Sequence, residues 1–419
     1  MPPRLLVLSN GHGEDLIALR VLEALRQRQP QLEVAVLPLV GEGHSYDRAR
    51  SEGWLQLVGP RRSLPSGGFS NQSIAALLAD LLAGLPLLSW QQWRLVRRWG
   101  RSGAPILAVG DLLPLLLAWG SGASFGFIGT PKSDFTWASP GPAGWGRSRL
   151  ADGYHRCKGS EWDPWEWALM GSRRCRLVAL RDPLTARGLQ RRGVRALAPG
   201  NPMMDGLEAA PLPVWLADRR RVLLLPGSRL PECLANLQRL LAALPSAEAV
   251  PPLSVLLATG ARPEAAEIAP LLERAGWRPA PFGDATGASA AWGRGTQRLL
   301  LGAGRFAAWA SWAEVGIATA GTATEQLVGL GVPALSLPGP GPQFIRGFAR
   351  RQSRLLGGAV LPCASPAALG ERLQRLLADG HERQRLGAIG RRRMGAAGGS
   401  AHLAALIETQ LLAAAGDRG

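Results

Sequence analysis

Short runs of valine, leucine and isoleucine alternate along this chain with longer stretches of helical character. That alternation constrains the fold more than any other feature, because it builds βαβ units whose strands pair in parallel and need helices on both faces. The pattern predicts strands at 5–8, 34–37, 106–109, 125–128 and 177–180, and a second series at 222–225, 254–258, 299–301, 315–319 and 334–337. Between the two series lie Pro199-Gly200-Asn201-Pro202 and Pro211-Leu212-Pro213, the strongest linker signal in the chain. The expected fold class is therefore α/β with two Rossmann-like domains, at 1–200 and 217–390, joined by a linker at 201–216. Helices are expected at 366–379, 381–393 and 402–415, with Gly398-Gly399-Ser400 as the turn before the last. Stretches 139–160 and 282–296, rich in glycine, proline and small residues, read as loops.

A chain of 419 residues with 46% hydrophobic and 19% charged residues has ample material for two cores and lacks the profile of a disordered protein. Its formal charge of +17 first suggests nucleic acid or an anionic membrane. Of the 48 basic residues, however, only Lys132 and Lys158 are lysines, and no RNA-binding or helix-turn-helix signature accompanies the arginines. No specific nucleic-acid partner is expected. Cys157, Cys175, Cys233 and Cys363 are widely spaced and include no C-x-x-C pair, so neither a disulfide framework nor a metal site is expected. The opening apolar run is too short for a signal peptide and reads as the first strand. A cytoplasmic location, peripheral to the inner face of a membrane, is the expectation.

Three turns carry candidate chemistry. Ser9-Asn10-Gly11-His12-Gly13-Glu14-Asp15 joins the first strand to the first helix. A glycine loop there brings backbone N–H groups close to a ligand. Its ionisable residues His12, Glu14 and Asp15 suit acid–base work on a hydroxyl better than pyrophosphate binding. Gly11, Gly13 and Glu14 are read as an acceptor loop, and His12 and Asp15 as candidate catalytic groups. Asp15 would otherwise cap the helix and Glu14 complement its dipole. Asp111, at the end of another strand, is a third catalytic candidate, with an N-cap as its alternative role.

The second turn, Pro226-Gly227-Ser228-Arg229, offers close backbone approach at Gly227, a hydroxyl at Ser228 and a planar fork for phosphate oxygens at Arg229. In the third, Gly321-Thr322-Ala323-Thr324-Glu325-Gln326, unpaired N–H groups and two hydroxyls suit phosphate, and Glu325 suits a ribose diol. Each turn also reads as an ordinary helix start. All three follow strands, where open α/β sheets bind ligands, and two such sheets facing one another would leave a cleft.

Segment 74–101 runs from leucines into Trp90, Trp93 and Trp99 interleaved with Arg94, Arg97, Arg98 and Arg101. Tryptophan and arginine in that order suit a segment lying on an anionic bilayer; a buried helix pair with a solvated basic end is the alternative.

Pro226-Gly227-Ser228-Arg229 with Glu232, preceded by Gly200-Asn201-Pro202-Met203-Met204-Asp205 and followed by Gly321-Thr322-Ala323-Thr324-Glu325, resembles lipid-A-disaccharide synthase and, more closely, the lipid-A-disaccharide synthase-related proteins. The resemblance spans nearly the whole chain and includes Arg393-Met394-Gly395. It implies a GT-B glycosyltransferase with a cleft between two Rossmann-like domains, the donor held mainly by the second and the acceptor by the first. It also implies that the C-terminal segment 391–419 crosses back onto the first domain. Asp15 and Asp111 match synthase aspartates, and the latter is thought to assist catalysis there. His12 and Glu14 depart from the synthase loop, and His12 is reminiscent of the glycine-histidine loop in the enzyme that adds N-acetylglucosamine to the peptidoglycan lipid precursor. The family's ribose acid can fall at Gln326 in place of Glu325.

The function these readings imply is metal-free, cofactor-free transfer of an N-acetylglucosamine-type sugar from a UDP-sugar to a lipid-linked acceptor at an anionic membrane surface. His12, Asp15 or Asp111 would deprotonate the attacking hydroxyl. The alternatives are a non-hydrolysing UDP-sugar epimerase and a non-catalytic, membrane-associated nucleotide-sugar-binding protein.

Overall fold

The computed structural model describes residues 3–61, 84–146, 149–227, 229–248, 251–283, 286–339 and 344–413. The chain divides into two compact units: Met1–Trp137 with Arg149–Asp205 and Ala396–Gly419, and Ala138–Ser148 with Gly206–Gly395.

In the first unit, β1 (Arg4–Ser9), β2 (Glu33–Pro38), β3 (Leu55–Leu57), β4 (Ile106–Gly110), β5 (Phe125–Gly129), β6 (Cys175–Leu180) and β7 (Ala196–Leu197) form a sheet of order β3-β2-β1-β4-β5-β6-β7. Every pairing in it is parallel. Helices on both faces explain why β1 and β4 read as unbroken apolar runs: Leu5 to Leu8 and Ile106 to Val109 are all fully buried. One face packs Leu6, Leu8, Ala108, Phe125 and Phe127 against Leu115, Trp162 and Leu189.

Helix α1 (His12–Arg28) and the C-terminal segment pack together. That segment runs from Gly399–Leu406 into π-helical Ile407–Leu412, and its last turn crosses β5 and β6. Leu411 is fully buried, and its Cδ2 would stand 3.2 Å from a Cβ placed on Gly126. The C-terminal segment thus belongs to the first unit, although the whole of the second sheet precedes it in the chain.

The second unit contains β8 (Arg220–Leu225), β9 (Leu253–Thr259), β10 (Arg278–Pro279), β11 (Ala290–Arg294), β12 (Gln297–Ala303), β13 (Val315–Ala318), β14 (Ala334–Ser336) and β15 (Val360–Pro362). Their order is β10-β11-β12-β9-β8-β13-β14-β15, with β10 and β11 antiparallel to their neighbours and the rest parallel. Val222, Leu224, Val255, Leu257, Leu299 and Ile317 centre its core, with Trp277 and Trp292 beneath the hairpin edge.

Two expected loops are ordered elements. Residues 149–158 form helix Arg149–Lys158, and 290–294 form β11, whose partner β12 covers residues too small to show a strand period by themselves. Segment 138–148 joins the second unit, where Trp145 packs with Phe344 and Ala349 beneath the Arg346 guanidinium, 4.3 Å above its ring.

Candidate functional site

In both units the strand order reverses beside the first strand of the series, between β1 and β4 and between β8 and β13. The carboxyl ends of strands at such a reversal splay their connections apart and leave room for a ligand.

At the β1/β4 reversal, Asn10 Nδ2 donates to Asp111 Oδ1 at 2.7 Å and ties the two connections together. Gly110 makes this possible: at φ +136°, a Cβ on it would stand 2.9 Å from Asn10 Cβ. Asp111 also caps the next helix, α2 (Leu112–Gly120), accepting from Leu113 N at 3.1 Å, so its alternative role as an N-cap is present. Burial raises its pKa, while the Leu113 N–H and Lys132 oppose the rise.

Asp15 corrects an expectation. It is 1% exposed, and its Oδ1 accepts from Ser9 Oγ at 2.5 Å, with Ser9 in turn receiving the Tyr46 hydroxyl at 2.9 Å. Burial pushes its pKa up to about 6 against the Ser9 and Gly11 hydrogen bonds. A carboxylate enclosed this way braces the loop from below and is out of reach of a ligand hydroxyl.

Its neighbour Glu14, read from sequence as part of the acceptor loop and one of its ionisable groups, is partly exposed. Glu14 Oε1 accepts from the Thr130 hydroxyl at 3.2 Å, at the end of β5. Burial raises its pKa to about 7, and the nearby Asp111 and Asp15 carboxylates add to the rise. Gly11, at φ +125°, leaves the space beside Glu14 Oε2 open; a Cβ there would come to 3.9 Å. His12 and Gly13 begin α1.

At the β8/β13 reversal three connections are braced from below. Asn236 Nδ2 donates to Pro226 O at 3.2 Å, Arg239 Nη1 to Pro338 O at 2.6 Å, and Gln352 Nε2 to Ala320 O and Gly321 O at 3.3 and 3.2 Å. None of these braces was legible in the sequence, since their partners are backbone carbonyls, which carry no residue-type signal. Gly227, at φ +96°, keeps the turn open beside Thr319 O. Arg229 is partly buried, which lowers its pKa while Glu232 raises it; a guanidinium stays charged regardless. Ser228 lies outside the described residues.

Helix α3 (Thr322–Gly329) starts at Gly321. Thr322 and Ala323 are partly exposed, and so is Glu325. Thr324 and Gln326 are buried, and Thr324 donates its hydroxyl to Ala320 O at 2.7 Å. Of the two hydroxyls expected to serve a phosphate, only that of Thr322 is at the surface.

A third region lies on the first unit. Helix Leu85–Arg101 buries Leu88, Gln92 and Val96 and exposes Leu87, Trp90 and Trp93. Arg94 covers the Trp90 ring at 4.6 Å and Arg97 the Trp93 ring at 5.3 Å, with Arg98 exposed beside them. Trp99 departs from expectation: it packs against the core and carries the Arg4 guanidinium at 4.5 Å. Residues 74–83 of the expected membrane segment lie outside the described residues. The neighbouring α2 exposes Leu116 and Trp119, and helix Pro164–Met170 beside it exposes Trp165. The signal for α2 was available, because its nine residues carry no polar side chain. Among the described residues no helix is long and apolar enough to cross a membrane, and no His, Cys, Asp or Glu cluster is fit to hold a metal.

No protein-family model matches the chain, and no curated protein matches it in sequence. Solved structures do match in fold over nearly its whole length. MurG from Acinetobacter baumannii is similar at a TM-score of 0.55 with 15% identity, over 97% of this chain and 99% of that one. The calicheamicin glycosyltransferase CalG4 is similar at 0.59 with 16% identity, over 98% and 99%. UDP-GlcNAc 2-epimerase from Neisseria meningitidis, bound to UDP-GlcNAc, is similar at 0.54 with 13% identity, over 98% and 100%. The fold is GT-B: two parallel-sheet α/β units with the last helix returned to the first.

Proposed function

We propose that this GT-B chain is a glycosyltransferase that moves a sugar, of N-acetylglucosamine type, from a UDP-sugar to a lipid-linked acceptor at an anionic membrane surface. The observation that carries the reading is the pair of braced strand-end sites at the two sheet reversals, one rich in carboxylates and the other in phosphate-binding groups. Arg229 and the N–H groups at the start of α3 suit a diphosphate, whose negative charge grows as the sugar departs. Glu325, one turn further on and partly exposed, suits the ribose diol; Gln326 is buried. The carboxylates around Asn10 and Asp111 suit deprotonation of an acceptor hydroxyl.

The lipid character of the acceptor and the membrane placement rest on Trp90 and Trp93 with their covering arginines, extended by Leu116, Trp119 and Trp165. Single exposed aromatics are ordinary; several on adjacent helices, with arginines over Trp90, Trp93 and Trp119, suit an interface with anionic headgroups. Lipid-A-type glycolipids are the acceptor class suggested by the resemblance in sequence.

The test is transfer of radiolabel from UDP-N-acetylglucosamine into a bacterial lipid extract by the purified chain. Label in the lipid phase supports the reading. Conversion of the donor sugar to its 2-epimer without any acceptor would favour an epimerase, an activity present among the similar structures. Tight donor binding with neither reaction would leave a binding protein.

A further inference from the structure

Three carboxylates meet at the carboxyl end of the first sheet, and their surroundings assign them different tasks. Asp15 is sealed beneath the loop by Ser9, with Tyr46 behind it. Asp111 Oδ1 is held by two donors, Asn10 Nδ2 and Leu113 N, and the Lys132 ammonium favours its ionised form. Both hydrogen bonding and a nearby cation make a carboxylate a weaker base. Glu14 also accepts two hydrogen bonds, one of them from its own backbone N–H, but it differs in the charges beside it: carboxylates where Asp111 has an ammonium. Its side-chain donor is the hydroxyl of Thr130, at 3.2 Å, and two carboxylates face it. The glycine at position 11 leaves space beside its Oε2.

We propose that Glu14 is the general base of this site, taking the proton from the attacking acceptor hydroxyl, with Asp111 held beside it by Asn10 and Leu113. The inference rests on the glycosyltransferase reading given above. As the hydroxyl oxygen bonds to the anomeric carbon, its proton passes to the Glu14 carboxylate. The bond from that carbon to the diphosphate oxygen breaks, and its electron pair leaves with the nucleoside diphosphate. Glu14 then gives the proton to solvent. Pairs of acids whose environments separate their proton affinities are the usual mark of such a division of labour. Burial and the two like charges bring Glu14 to about 7, near the operating pH where a general base is most effective.

The charged and titratable groups around Glu14 come from every neighbouring connection. They are Asp15 on its own loop, Tyr46 behind it, Asp111 after β4, Lys132 after β5, and Arg181 after β6, which donates to Thr130 O at 3.4 Å. His12 is the competing base, and the test must separate a carboxyl from an imidazole.

Glu14→Gln, Glu14→Asp and His12→Ala are each compared with wild type for donor binding by calorimetry, and for kcat/KM with UDP-N-acetylglucosamine and lipid extract between pH 5 and 9. Expected for Glu14→Gln is unchanged donor affinity, a fall in kcat/KM of about 10²- to 10⁴-fold, and loss of the limb near pH 7. Glu14→Asp should restore part of the rate. The limb should survive in His12→Ala, and its midpoint should move little with temperature, since carboxyl ionisation carries little heat. A limb that persists in Glu14→Gln, or disappears in His12→Ala alone, overturns the assignment while leaving the transferase reading intact. A wild-type chain that binds no nucleotide sugar and transfers none overturns both.

Discussion

The Asp205 carboxylate accepts the backbone N–H of Ser400 at 2.7 Å, joining the linker after the first unit's last strand to the turn that starts the C-terminal helix. The same carboxylate takes the N–H of Gly398. Gly399 is held so close that a Cβ on it would lie 2.7 Å from Asn201 N and 2.8 Å from Pro202 N. Asp205 thus supplies the cap that Gly398, having no side chain, cannot. Removing an N-terminal cap costs about 1 kcal/mol, and leaving part-buried donors without a partner costs about 1 kcal/mol more, the low end of the range for buried ones. Asp205→Ala should therefore lower stability by about 2 kcal/mol, and Gly399→Ala by at least as much, because backbone cannot yield as a side chain can. Urea unfolding measures both, and hydrogen exchange should show the loss concentrated in residues 399–412.

Glu14→Gln should make the protein more stable at neutral pH. The folded-state pKa of Glu14 is raised from 4.5 to about 7, so the folded chain holds this proton more tightly than the unfolded one. Its stabilising contribution is complete below about pH 4.5 and is lost as the pH climbs through 7. Glutamine resembles the protonated acid and never ionises. The variant should match wild type at pH 4 and exceed it at pH 8 by about 3 kcal/mol, the size of such a shift. Denaturant midpoints across that range decide the matter; equal curves at pH 8 would refute it. A gain in stability paired with a loss of turnover is the usual trade at a working site.

Arg229→Ala should weaken UDP-sugar binding about tenfold to a hundredfold, as expected for losing a charge-assisted, two-pronged contact to phosphate. Thr322→Ala should weaken it less. Thr324→Ala should act on stability in preference to affinity, because its hydroxyl is spent on Ala320 O. Calorimetry with UDP-sugars, read beside thermal unfolding of each variant, separates the three outcomes.

Substituting Trp90 and Trp93 together by alanine should abolish cosedimentation with vesicles containing phosphatidylglycerol. Both rings lie on the exposed side of their helix, so thermal stability should change little. Wild-type binding should weaken with added salt through screening of Arg94, Arg97 and Arg98. Salt-insensitive binding, or full binding by the double variant, would rule out this surface.

Much of the scaffold is legible in the amino-acid sequence alone. Each of the ten strands expected from apolar runs is present, because strands buried on both faces must be apolar without interruption. Edge strands escape notice for the opposite reason: β3, β7, β10 and β15 are two or three residues long and show no period. The candidate sites are legible as positions and much less as roles. That Asp111 would meet the first loop follows from both lying at strand ends. Whether Asp15 or Glu14 faces outward turns on one residue of helical phase, about 100°, which a loop of glycines does not fix. The Ser9 hydroxyl and the Tyr46 ring, which decide it, are six and thirty-one positions away from Asp15 in sequence.

The return of residues 396–413 to the first unit sets an order on biosynthesis. A ribosome delivers β1 to β7 first, then the whole second sheet, and only afterwards the helix that covers α1, β5 and β6. Until then a nascent chain carries an apolar trough made for Leu403, Ile407 and Leu411. Such surfaces are what chaperones retain and what drives premature association. The second unit, whose residues are all synthesised by Gly395, can finish folding while the first is still waiting, so the amino-terminal half of this protein is the later of the two to mature.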